Sequence, residues 1–328
     1  MLTTQGHNAV VVFFVISGFW IVRSVVRAGE AFSFKEYMLA RVARLWIVLL
    51  PALVIGAGLD ALGSTVLASP LYAGTQGSVS LAYDVSARLS ATTILGNIFF
   101  LQDIAVPALG SNGALWTIAC EFWYYVYFPL AYLAVRSRNW LCIAGAAASL
   151  LFLPSLHLFA CWMMGGVVYV LAERLKYDRP VHWMLPAAAL VIFCVVVFLL
   201  KLFPLHWVAN DLLLACAFAL FLMLSMKSPF GEAKGLAVLA RLGSRSSYSL
   251  YATHLPLVVF ICNFIVPSTR IAASPYSWAL VLLIPMVAVM FAVVFSRFTE
   301  DRTAAAKRWA SDVLKLAERP KKAMDQAK

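Results

Sequence analysis

The chain has 328 residues and a formal net charge of +11, with 63% hydrophobic and only 12% charged residues. A soluble domain carries about 25% charged residues, so no globular core hides this much apolar surface, and lipid is the natural solvent for most of it. The basic residues sit between apolar segments and in the tail, a pattern that signals topology rather than a nucleic-acid partner.

Apolar stretches of spanning length fall near residues 8–27, 37–59, 112–135, 139–154, 156–173, 183–203, 208–226, 246–267 and 276–298. They predict an all-α, polytopic transmembrane helix bundle of about nine spanning helices. The stretches 139–154 and 156–173 meet at Pro154 with almost no loop and read as a tight helical hairpin. Residues 92–106 are apolar but short and read as interfacial or re-entrant. Assigning Lys and Arg to alternate sides gives a split of 23 to 3, with Arg88, Lys201 and Arg270 on the poor side. The positive-inside rule then puts the C-terminus in the cytoplasm and the 60–111 loop outside. It also puts the N-terminus outside, although MLTTQGHN carries no signal-peptide charge block. One missing upstream helix would reconcile the two.

Residues 1–301 read as one integral-membrane domain and 302–328 as a basic cytoplasmic tail. In that tail Trp309, Val313 and Leu316 share one side of a helix suited to the inner leaflet. Cys120, Cys142, Cys161, Cys194, Cys216 and Cys262 are singly spaced in apolar runs. They form neither a disulfide framework nor a metal-ligand spacing, and read as small buried hydrophobes.

Four segments carry chemistry. In VVFFVISGFW (11–20), Ser17 and Gly18 are small residues among bulky ones, and close helix packing accounts for them. Arg23 and Arg27 follow one turn apart. In EYMLARVARLWIVLLP, Arg41 and Arg44 share a face at i, i+3 inside the apolar boundary. Together the four arginines make a basic pocket suited to phosphates, which guanidinium binds bidentately; snorkelling with positive-inside bias is the rival reading. In NGALWTIACEFWYYVYFPL, Glu121 sits mid-helix, where an acid costs roughly 2.5–3.5 kcal/mol and needs a partner or a polar cavity. Thr117, Glu121 and Tyr125 occupy one face, so that face is expected to meet protein. Glu121 is either a functional acid or the partner of a buried arginine such as Arg44. In RLGSRSSYSLYATHLP, Ser246 or Ser247 reads as an N-cap, with Ser247, Tyr251 and His254 on one face. His254 is either a hydrogen-bonded interior residue or a functional imidazole. Asp211, near the outer interface, reads as a cheaply solvated structural acid.

Taken together and in order, FFVISGF (13–19), RVARLWIVLLP (41–51), LWTIACEFWYYVYFPL (115–130), GSRSSYSLYATHLP (243–256) and FTE (298–300) resemble the acyltransferase-3 family of integral-membrane O-acyltransferases. The resemblance covers nearly the whole chain. It implies ten helices with both ends cytoplasmic and transfer of an acyl group, usually acetyl, from cytoplasmic acyl-CoA to a hydroxyl. The implied acceptor is a surface or secreted glycan or its lipid-linked precursor, at a bacterial inner membrane. It maps phosphate-binding arginines onto Arg41 and Arg44, the motif acid and its aromatic onto Glu121 and Trp116, the motif serine onto Ser17 and the histidine of the eighth segment onto His254. No metal is implied. The family's first helix carries an arginine and, three turns on, a histidine taken as the catalytic base. Only twelve residues precede Phe13, so the expectation is that the start is incomplete and the chain as written turns over little. His7 matches a variable position and is not assigned. The 60–111 loop is the expected acceptor contact. A non-catalytic truncated paralogue and a transporter or flippase of a glycan precursor are the alternatives. The flippase predicts inverted repeats that are not visible.

Overall fold

Runs of Val, Leu, Ile and Phe close their own backbone hydrogen bonds as helices, the only open-chain form that lipid accepts. The computed structural model describes residues 3–74, 81–175, 181–226, 228, 234–265 and 274–313, without the side chains of 3–5 and 234–245. In order come α1 (Thr3–Ala28), α2 (Phe34–Ala61), a short α3 (Ala91–Ile98), α4 (Trp116–Ser137), α5 (Trp140–Leu150), α6 (Leu156–Arg174), α7 (Met184–Leu202), α8 (Trp207–Ser225), α9 (Lys234–Ile265) and α10 (Pro275–Phe298). No strand occurs among the described residues. Residues 303–313, the described part of the tail, are helical, and Leu316 lies outside the described residues. Arg270 and the basic residues Lys176, Arg179 and Lys227 lie outside them too. The chain divides into two compact units, 1–33 with 123–240 and 34–122 with 241–328.

Among the described residues eight helices are long and apolar enough to cross a membrane, not nine. The exception is the stretch 139–154. Asn139 caps α5 by accepting from the Leu141 amide at 2.9 Å, and α5 ends after 11 residues. That is about 16 Å of helix against a hydrocarbon core of about 30 Å. Pro154 disfavours helix at the residue before it, and 151–155 continue as turns.

The first unit shows why the chain still reverses there. α1 and α6 run side by side in the same direction: Trp162 Nε1 donates to Ser17 Oγ at 3.2 Å, and the Phe19 and Tyr169 rings meet edge-on at 5.8 Å. α4 follows them, with Tyr124 against Phe14 near one end and Arg136 paired with Glu30 at 3.4 Å at the other. Three parallel segments require residues 138–155 to lead back, which α5 does in part as helix and 151–155 as turns. The return ends beside Tyr124, whose hydroxyl donates to the Ser155 carbonyl at 2.9 Å. α1 and α6 touch backbone to backbone. A methyl on Gly18 would overlap the Trp162 carbonyl, and one on Gly165 would overlap the Val15 carbonyl.

In the second unit Val48, Ala52, Ala252 and Phe295 form a buried apolar cluster. α3 and the turns after it make no span. Asn97 staples them, donating to the Thr93 and Pro107 carbonyls at 2.8 and 2.9 Å while its own oxygen accepts from the Leu109 amide at 3.1 Å. Asp60, 1% exposed, takes the amide and the hydroxyl of Ser111, both at 2.7 Å. Pro256 lies inside α9 and has no N–H to give the Ala252 carbonyl. Asn112 Nδ2 supplies that bond instead, at 2.8 Å. Backbone irregular at membrane depth is tolerated when protein satisfies it in this way.

One boundary differs from expectation. α9 begins at Lys234, so Ser246 and Ser247 lie inside the helix and neither is its N-cap. The Gly243–Ser244 pair reads as a break in sequence, yet Gly costs a helix interior only about 1 kcal/mol. α10 has the capping box instead, with the Ser274 hydroxyl accepting from the Ser277 amide and Pro275 in the first turn. The cysteines are free; Cys120 and Cys161 are buried, whereas Cys194 and Cys216 are exposed on the helix surface.

Candidate functional site

The second unit gathers charge where its sequence is otherwise apolar. The first turns of α2 carry Tyr37, Arg41 and Arg44. Tyr37 is buried, and the Arg41 guanidinium carbon stands 5.2 Å from its ring centre, the i, i+4 spacing placing one above the other. Glu121, on the opening half of α4, is 5% exposed. The Tyr37 hydroxyl lies in the fields of both Arg41 and Glu121. On α9 the Tyr248 hydroxyl donates to the Leu45 carbonyl at 3.2 Å and lies in the fields of Glu121, Arg44 and Glu300. Glu300, just past α10, accepts from the Ser249 amide at 2.7 Å.

Arg41 and Glu121 thus act on the Tyr37 hydroxyl, and Glu121, Arg44 and Glu300 on that of Tyr248, with Glu121 common to both. Opposite charges held this way lower the cost of keeping each other in a low-dielectric interior. Arg44 is exposed and Arg41 partly buried, so the cluster has a wet end and a dry end. The Arg44 guanidinium at the wet end suits an incoming phosphate.

The remaining sequence-derived residues fall as follows. Trp116 opens α4, in the same unit. Next to it Thr117 and the Ala114 carbonyl both bond the Tyr251 hydroxyl, the latter at 2.8 Å. His254 is half-buried, and its Nδ1 stands 3.0 and 2.9 Å from the Leu250 and Tyr251 carbonyls. Carbonyls only accept, so Nδ1 carries the proton and the lone pair of the neutral ring sits on Nε2. Ser17 belongs to the first unit. Its hydroxyl accepts from Trp162 and lies 3.3 Å from the Tyr125 hydroxyl, in the seam where Gly18 and Gly165 let the helices close. Arg23 and Arg27 are also in that unit, Arg23 with its guanidinium 5.0 Å over the Trp20 ring. Thr117, Glu121 and Tyr125 are all buried, as their shared helix face requires.

Sequence reasoning passed over Tyr37 and Tyr248. The spacing Tyr37-x-x-x-Arg41 was a usable signal for the first; Tyr248 lies in the segment GSRSSYSLYATHLP (243–256), but nothing local ties it to Arg44 or Glu121. It also misjudged Asp211. That carboxylate is 3% exposed, not solvated, because histidines far off in sequence close over it. His7 Nε2 approaches Oδ1 at 2.8 Å and His157 Nε2 approaches Oδ2 at 3.1 Å.

Comparison with known proteins adds the following. A family described as an acyltransferase domain matches residues 1–295. A curated protein, the acyltransferase MdmB of Streptomyces mycarofaciens, is 31% identical over 157 residues, which cover 47% of this chain and 36% of that protein. The chain thus spans about a third of that relative's length. No solved structure matches.

Proposed function

The chain belongs to the acyltransferase domain family that matches residues 1–295, and from that premise we propose that it is a multi-pass membrane acyltransferase. In this reading the donor is acyl-CoA, acetyl-CoA first, and the acceptor is a hydroxyl of a cell-surface or secreted glycan or its lipid-linked precursor. The membrane is a bacterial inner membrane, and the basic helix ends face the cytoplasm. The observation that supports it most is the buried Glu121 within the same cluster as Arg41 and Arg44.

The chemistry assigns the parts. CoA is a polyanion and stays where cations meet water, so Arg44 and then Arg41 hold its phosphates. A thioester supplies the activated acyl group. An alcohol attacks it only with a base to take its proton and donors to stabilise the oxyanion. Tyr37 is a hydroxyl donor beside Glu121, suited to holding a carbonyl oxygen, whereas the Tyr248 hydroxyl gives its proton to the Leu45 carbonyl. Glu121 orients Tyr37 and balances Arg41 and Arg44. His254, with its lone pair on Nε2, is the imidazole of this unit available for proton transfer.

The test is transfer of labelled acetyl from acetyl-CoA by purified protein in lipid nanodiscs. Glu121→Gln keeps the volume and removes the charge; we expect transfer to fall at least about 100-fold, and a wild-type rate would leave Glu121 a packing residue. Arg41→Lys keeps the charge and loses the bidentate fork. It should raise KM for acetyl-CoA by about tenfold, with kcat nearly unchanged. A purified protein that neither binds nor consumes acyl-CoA would end the enzymatic reading.

A further inference from the structure

The second unit buries a charge for which its described residues offer no counter-charge. The Asp60 carboxylate takes two hydrogen bonds from Ser111. They orient it and leave its charge in place. Among the described residues no Lys, Arg or His pairs with it. Arg88, a cation of the loop that Asp60 meets, lies over the Tyr83 ring instead, 3.3 Å from its centre. A buried charge is paired, coordinates a metal ion or is neutralised by a proton. The position adds to the cost. Asp60 is in the last turn of α2, at the negative end of the helix dipole. Beyond it the chain continues only as a π turn, Leu62–Val66, a deformation frequent at functional sites.

Two neighbours shape the surroundings. A methyl on Gly110 would overlap Asp60 Oδ2, and the φ of +56° there favours glycine. Tyr72 packs on Gly63, where a methyl would overlap the hydroxyl end of its ring. Gly63 follows Asp60 by three residues, on the same side of the helix. The Tyr72 hydroxyl is thereby brought to the Asp60 side of α2 and lies in the field of that carboxylate. Tyr72 is 1% exposed, and its hydroxyl finds no hydrogen-bond partner. The side-chain oxygen of Asn112, the residue after Ser111, is buried without a partner as well.

A carboxylate and an orphaned hydroxyl oxygen at a helix end are ligands for a hard cation. Charge selects which one. A single carboxylate among neutral oxygens balances one positive charge, whereas a divalent ion would leave a charge in excess in a low-dielectric site. Interrupted helices with their carbonyl ends coordinate Na⁺ in membrane proteins in this way. We propose that Asp60 and the Tyr72 hydroxyl bind a sodium ion, which holds the turn at Ser111 against the end of α2. Ser111 in turn places Asn112, which satisfies the Ala252 carbonyl in α9. The sodium site does not depend on the acyl-transfer reading.

The experiment follows thermal unfolding of the full chain in nanodiscs, in sodium chloride against N-methylglucamine chloride at equal ionic strength and neutral pH. Wild type should melt at least about 3 °C higher in sodium, with a saturable dependence on its concentration. Asp60→Asn keeps the shape and removes the charge. Its response should fall below about 1 °C, and in N-methylglucamine chloride it should melt no lower than wild type, since no unpaired charge is then buried. Tyr72→Phe keeps the ring on Gly63 and should raise the half-saturating sodium concentration at least about fivefold. Asp103→Asn, at an exposed carboxylate of the same unit, should keep the full response. Equal melting of wild type in the two salts, the outcome if a proton neutralises Asp60, overturns the site. So does a full sodium response in Asp60→Asn. Where Asp60→Asn does not fold, retention of radioactive sodium by wild type decides: saturable binding that Tyr72→Phe weakens supports the site, and no binding, or binding unchanged in Tyr72→Phe, overturns it.

Discussion

Single residues carry meanings here that their neighbours in sequence do not reveal. Ser17 and Gly18 sit in a motif that resemblance ties to catalysis, and the structure also gives them a packing duty. Gly18 and Gly165 leave no room for a side chain between α1 and α6. Gly165→Ala should therefore destabilise the first unit by about 1–3 kcal/mol, read as a lower melting temperature in detergent, whereas Gly58→Ala, with open space around it, should not. Glu121 was legible from sequence because an acid in an apolar helix is costly whatever surrounds it. Asp211 was not. Its solvation depends on His7 and His157, and nothing in the local sequence of α8 announces partners from α1 and α6.

Helices were legible where composition alone decides them, and their ends were not. α5 stops at Leu150 although its apolar run continues to Pro154. α9 starts well before the serines that look like its cap. α5 stops short because Pro154 disfavours helix at the residue before it, and α9 runs through Gly243 because glycine costs a helix interior only about 1 kcal/mol. The second unit offers a sharper test of how elements hold together. Asn112 satisfies the carbonyl that Pro256 orphans in α9. Asn112→Ala should cost about 1–3 kcal/mol, the penalty of an unpaired buried group. Adding Pro256→Ala restores an N–H in the helix and should recover much of that cost. A double-mutant cycle by thermal unfolding checks this; strict additivity would mean that the two residues do not work as a pair.

For the molecule as a whole, charge was the most informative property of the sequence. The 23 to 3 split of basic residues agrees with the first unit, where Arg136 meets the end of α1 while Lys201 lies with His7 and Asp211 at the other end. In a cysteine-free background, a membrane-impermeant thiol reagent added to intact cells should label Asp84→Cys and spare Ser137→Cys until the membrane is opened. The reverse pattern would invert the topology. The charged cluster of the second unit was half visible, since motifs singled out Arg41, Arg44 and Glu121, but Tyr248 joins them only because α9 folds back on α2. The seam between α1 and α6 also sets a timetable for biogenesis. Ser17 and Trp162 are 145 residues apart, and at about 5–20 residues per second the ribosome needs roughly 7–30 s to deliver the second after the first. Through that interval α1 has its small-residue groove unfilled, and nascent chains arrested before α6 should be the species that quality-control proteases remove fastest in a pulse-chase.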